Sequence, residues 1–135
     1  MTFLARPNYS GGTTLVGQTA YTTSGTFTFV VPAGVSKVSV VAVGHGSRGL
    51  RAQNQVGFGS GGGGGALSYI NNASVTAGES LTVVINCDSC GTTTGSSLKR
   101  GATFLVRAQS GTRCSGTPGS ATNGVGCAKY SGGSG

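Results

Sequence analysis

Thr26-Phe27-Thr28-Phe29-Val30-Val31-Pro32-Ala33-Gly34-Val35-Ser36-Lys37-Val38-Ser39-Val40-Val41-Ala42-Val43 decides the fold. Phe27, Phe29 and Val31 recur at every second position with Thr26 and Thr28 between them. A period of two places the three apolar residues on one face of a β-strand. Pro32-Ala33-Gly34 interrupts the pattern as a turn, because Pro fixes φ and Gly admits positive φ. From Lys37 to Val43 the chain becomes Val-rich and, towards its end, apolar on both sides. That predicts a central strand buried on both faces, with the two runs pairing as neighbours.

Downstream the same signals repeat. Leu67 and Tyr69 alternate around Ser68, Asn71-Asn72 reads as a turn, and Ala73–Thr76 as a short strand. Ala77-Gly78-Glu79 forms a second turn before Leu81, Val83 and Ile85, which share one face of a strong strand. Residues 87–101 read as a polar loop, and Ala102–Arg107 as the last clear strand. Upstream, residues 1–24 show no period, and Pro7 and Gly11-Gly12 break any helix. This segment reads as an extended arm, the plainer alternative being an edge strand of the same domain. Short strands separated by turns predict an all-β chain, a small antiparallel β-sandwich of jelly-roll type with Gly-rich loops. The expected divisions are an N-terminal arm over 1–24, a β-sandwich domain over 25–110, and a Gly/Ser/Cys-rich loop or tail over 111–135.

Composition limits what this chain can do. It has 135 residues, 27 of them Gly, and no Trp. Its Val, Ile, Leu and Phe suffice for one thin core. Ordering so much glycine is entropically costly, so disulfides, self-association or a larger assembly are expected to help. The net charge of +7 comes from cations spread along the chain without a block of like charge. It favours an anionic partner, such as nucleic acid, lipopolysaccharide or an acidic protein surface, and solubility is the plainer reading. Met1–Pro7 has neither the basic start nor the apolar run of a signal peptide, and no run approaches a membrane span. The expectation is synthesis in a cytoplasm and no membrane partner.

Catalytic chemistry finds little to work with. The acids are Glu79 and Asp88, and the one histidine is His45, between two glycines. Paired-carboxylate chemistry needs two acids in one site, and a Ser–His–Asp set can be written from any chain this rich in Ser. No enzyme, cofactor or metal is expected. Gly61 to Gly65 is the most unusual stretch. A phosphate loop would need a Lys-Ser/Thr ending and a following helix, neither of which is here. A flexible loop is one reading. Another is packing, in which side-chain-free backbones approach closely as a polyglycine layer or under a neighbouring chain.

The cysteines are Cys87, Cys90, Cys114 and Cys127. Cys87 and Cys90 have the spacing of half a zinc site, but the other two, with twelve residues between them, do not supply the second half. Disulfides are the preferred reading, with Cys114–Cys127 the favoured pair among three connectivities. Four free thiols buried as small apolar residues are the alternative. A specific nucleic-acid role is not expected, for want of aromatic-basic interleaving or a recognition helix.

Residues 20–107 resemble a known family. Tyr21 to Gly44, with its aromatic alternation, Val31-Pro32-Ala33-Gly34-Val35 and a Val-rich strand ending in Val43-Gly44, is similar to the opening of the glycine-rich domain of bacteriophage virion proteins. Gly61–Gly65, then Ala66–Asn72, Val75–Ile85 and Gly101–Val106, follow the family's order of motifs. The resemblance implies a non-enzymatic tail-fibre, tail or other structural protein on the virion surface, made in the host cytoplasm. Two placements are expected. The preferred one is capsid decoration or cement, with the major capsid protein or another virion protein as partner and Phe3, Leu4, Arg6, Pro7 and Tyr9 gripping the particle. The alternative is a tail-fibre or tail-tip module whose loops at 44–65 and 87–101 bind a host-surface glycan or receptor. Either is expected to be a homo-oligomer, with a trimer among the options.

Overall fold

A computed structural model describes residues 2–7, 17–49, 61–86, 95–112 and 118–134. The described residues form nine strands: β1 (Thr2–Pro7), β2 (Gly17–Ala20), β3 (Gly25–Val30), β4 (Val35–Val43), β5 (Leu67–Ser74), β6 (Ser80–Ile85), β7 (Ser96–Arg100), β8 (Thr103–Ala108) and β9 (Ala128–Tyr130). They make two antiparallel sheets, one ordered β2-β1-β4-β5-β9 and the other β3-β6-β7-β8. The chain is all-β and sandwich-like, with a single apolar core. Val38, Val40 and Ala42 of β4 fill that core together with Leu81, Val83, Leu98 and Val106 from the second sheet, all essentially inaccessible to water.

The opening stretch behaves differently from its sequence reading in one respect. β3 and β4 do not pair; they lie in different sheets. Val35 N–H donates to Pro32 O (3.2 Å), and Gly34 has φ of 79°, the positive φ that a tight turn ending in Gly requires. Val31 at the start of this turn is already engaged: its N–H donates to Glu79 O (2.9 Å), and its carbonyl accepts from Gly78 N–H (2.8 Å). Both edges of β4 are taken by β1 and β5. The turn is therefore a corner between sheets rather than a hairpin. β4 is central, as expected, but buried on one face only: Val41 is 38% and Val43 50% exposed.

The expected turn at Asn71-Asn72 is a bulge inside β5. Val38 stands opposite Ala73 and Val40 opposite Ile70, so Asn71 and Asn72 together face Ser39. Asn72 takes φ of 55° and its N–H donates to Ser39 Oγ (3.2 Å). Asn tolerates this left-handed conformation better than other residues with a side chain, so the pair that reads as a turn absorbs one extra residue without ending the strand.

Within the segment read as an arm, β1 is an inner strand, hydrogen-bonded to β2 on one side and β4 on the other. Phe3 and Leu4 stand opposite Val40 and Ser39, Arg6 opposite Lys37, and Pro7 opposite Val35 after a register shift. Tyr9 lies outside the described residues. β7 falls in what reads as a polar loop. The described part of the C-terminal segment is tied to both sheets: Val125 and Arg107 exchange backbone hydrogen bonds (2.8 and 3.0 Å), Cys127 N–H donates to Tyr69 O (2.7 Å), and β9 pairs with β5.

Candidate functional site

Residues 61–66 sit at the centre of a layer of backbones. Gly44 N–H donates to Ala66 O and Ser47 N–H to Gly63 O (both 2.8 Å). Ala66 N–H donates to Gln109 O, Gly119 N–H to Gly64 O (both 2.8 Å), and Gly64 N–H to Gly133 O (2.7 Å). A strand in a sheet has two hydrogen-bonded neighbours; this segment bonds to four stretches of chain. It can do so because nothing projects from it but the methyl of Ala66. A β-carbon at Gly62, Gly65, Gly111 or Gly132 would come within 3.0 Å of a backbone carbonyl of the facing segment. None of these four glycines has positive φ, so close approach, not backbone twist, is what they provide. Of the readings open for Gly61–Gly65, this geometry is the packing one.

Polar side chains lock the layer. Ser47 Oγ accepts from Gly63 N–H (2.9 Å) and donates to Thr112 O (3.1 Å). Gln109, 6% exposed, accepts at Oε1 from Ser120 N–H (3.0 Å) and Asn123 Nδ2 (2.9 Å). These bonds fix residues 118–123 against the end of β8. Loops are usually the mobile part of a β fold; here the described loops are cross-linked by their own backbones.

Beside this layer lies an open recess of about 280 Å³ lined by Thr22, Ser24, His45, Gly46, Arg48, Ile85 and Asn86. His45 Nδ1 donates to the Gly46 carbonyl (2.7 Å); a carbonyl only accepts, so the proton sits on Nδ1. A smaller recess of about 70 Å³ shares Asn86 and extends over the outer face of the second sheet to Ser97, Lys99, Phe104 and Arg107. At the end of β7 Arg100 grips Glu79 through two nitrogens: Nε bonds Oε1, and Nη2 lies 3.1 Å from Oε2 and 2.7 Å from Ser74 O. Glu79 also accepts from Thr76 N–H (3.1 Å). The Arg100 hydrogen bond, then the Thr76 one, holds the Glu79 carboxyl below its ordinary range.

Comparison with protein-family models, curated protein sequences and solved structures finds no match to this chain. The candidate site therefore rests on its residues. Among the described residues no three of His, Cys, Asp and Glu come together as a metal site would need, and no helix is long and apolar enough to cross a membrane. Glu79 is committed to a turn and to Arg100, a structural task.

Of the residues singled out by sequence, four share one strand. Phe3, Leu4, Arg6 and Pro7 are positions of β1 inside a sheet. Cys127 is exposed; its expected partner Cys114, like Cys87, Cys90 and Asp88, lies outside the described residues. The loop at 44–65 contributes residues 44–49 and 61–65 to the glycine layer and the larger recess, while 50–60 and 87–94 lie outside the described residues. Sequence reading missed Gln109 and the grouping of Lys99, Phe104 and Arg107. The available signal was Phe104 and Arg107 in one strand; the missing part was β7, which brings Lys99 beside them.

Proposed function

We propose that the protein is a non-enzymatic structural protein of a bacteriophage particle, displayed on the virion surface as a host-recognition module. The observation that carries this reading is the glycine layer. It holds residues 44–47, 61–66, 109–111, 119 and 132–133 together by backbone hydrogen bonds. A receptor-binding surface gains affinity when its loops are already ordered, because binding then costs less entropy. The layer supplies that order beside two recesses lined by polar and cationic groups. The resemblance of residues 20–107 to the glycine-rich domain of phage virion proteins supports the same placement.

One observation favours capsid decoration as a second reading. The outer face of the five-stranded sheet shows Val41, Val43 and Tyr130 to solvent, with Tyr130 58% exposed, and Val43 and Tyr130 both register with Leu67. An apolar strip of this kind suits a seat on another virion protein or on a second copy. Quantitative mass spectrometry of purified particles separates the two. Copies in the range of about three to eighteen, as symmetric appendages at a few attachment points require, together with blocked adsorption when free protein is added to host cells, support recognition. Copies in simple ratio to the major capsid protein, without such blocking, overturn it in favour of decoration.

A further inference from the structure

One aromatic ring on the outer face of the second sheet gathers two cations. Lys99 Nζ lies 4.7 Å from the centroid of Phe104, and Arg107 Cζ lies 5.1 Å from it. The strand register explains the grouping. Lys99 stands opposite Phe104, and Arg107 opposite Ser97, with a bulge between Leu98 and Lys99. The negative face of the ring attracts each cation, so two like charges are held at one spot that they would otherwise leave. The recess of about 70 Å³ beside them also takes in Asn86 and Ser97. Its size suits a single carboxylate, sulfate or phosphate group.

We infer that this recess binds the anionic group of an acidic polysaccharide on the host surface, with Lys99 and Arg107 as the charged contacts and Phe104 as the residue that positions them. This rests on the host-recognition reading and names its ligand class. Three features point to a saccharide. Asn86 in the recess lining and half-buried Thr82, next to Lys99 in register, offer an amide and a hydroxyl that match sugar hydroxyls. The larger recess with His45 and Arg48 also has Asn86 in its lining, so polar groups for a second sugar unit lie beside the first. The single ring carries cations over it, whereas single-stranded nucleic acid needs open aromatic faces for successive bases.

The test is binding of the purified protein to immobilised polygalacturonate, dextran sulfate, neutral dextran, polyglutamate and single-stranded DNA. The two acidic polysaccharides are expected to bind, neutral dextran not. Lys99→Ala and Arg107→Gln are each expected to weaken binding about tenfold, the loss of one charge-assisted contact, with circular dichroism showing the β fold retained. Phe104→Leu keeps apolar bulk but removes the ring, and is expected to weaken binding several-fold. Lys37→Ala, a cation elsewhere, is expected to change it less than about twofold. Equal losses from Lys37→Ala and Lys99→Ala would reduce the effect to net charge and overturn the site. Polyglutamate or DNA binding as tightly as the polysaccharides would overturn the ligand class. Adhesion to host cells is measured in parallel. Cells bound while no acidic polysaccharide binds would sink this inference and leave host recognition standing. Site-dependent polysaccharide binding without cell adhesion would do the reverse.

Discussion

The α-carbon of Gly65 faces the carbonyl group of Gly44 so closely that a β-carbon there would come within 3.0 Å of its oxygen. Gly62 stands in the same relation to Ser47. The obstacle in both cases is backbone held by its own hydrogen bonds, which cannot swing aside as a side chain would. Gly65→Ala and Gly62→Ala are therefore expected to destabilise the protein by about 2 kcal/mol or more, the upper part of the overpacking range. Gly46→Ala is the control. A β-carbon there meets Gly63 O at 3.5 Å, ordinary contact, and its stability should change by no more than about 0.5 kcal/mol. Thermal melts of the three variants decide; equal melting temperatures would mean the layer is not close-packed.

How much of this was legible depends on where each element gets its order. β3, β4 and β6 carry their alternation in their own residues, β8 carries a short apolar run, and reading them required nothing else. β7 has one apolar residue, Leu98, among Ser96, Ser97, Lys99 and Arg100. It is a strand because β6 and β8 pair with it on both sides, a tertiary effect with no local trace. The β3–β4 corner was misread for the same reason: a Pro-Gly turn reports a change of direction, not which sheet the chain enters. The glycine run announced itself, but its partners Gly44, Gly111, Gly119 and Gly132 occur singly or in short groups far along the chain.

Leu98 gives that lesson a number. It is fully buried and lies opposite Val83 and Val106. Leu98→Ala is expected to cost about 3 kcal/mol, within the range for emptying a core leucine site. A loop residue would cost under about 0.5 kcal/mol. Urea unfolding with an unchanged slope measures the difference as a shift in midpoint.

Asn72 offers a sharper test of backbone conformation. Its φ of 55° lies in the left-handed region, inside a strand. Asn72→Gly should be close to neutral, because Gly enters that region freely. Asn72→Val should lose about 1–2 kcal/mol or more, since a β-branched residue is strained there. If both variants unfold at the same denaturant concentration, the bulge is not where the register of β4 and β5 places it.

The Glu79–Arg100 pair sets the acid side of the stability profile. Arg100 and then Thr76 lower the folded-state pKa of Glu79 below its ordinary value of 4.5. A carboxyl depressed on folding binds its proton more readily when unfolded, so its contribution is present above the unfolded pKa and fades as pH falls through the folded one. The Arg100 side chain is 43% and Glu79 20% exposed, and solvent screening keeps such a pair within about 1 kcal/mol. Stability of the wild-type protein should therefore fall as pH drops below about 4.5. Glu79→Gln should be slightly less stable near neutrality and should flatten that part of the profile, because the group that titrates is gone. Asp88 is the other acid in the chain, and Asp88→Asn separates its share. Chemical denaturation at pH 3 to 7 on the wild type and both variants is the measurement. An acid slope that survives in Glu79→Gln and disappears in Asp88→Asn would assign it to Asp88 and leave the Arg100 contact without a measurable part in stability.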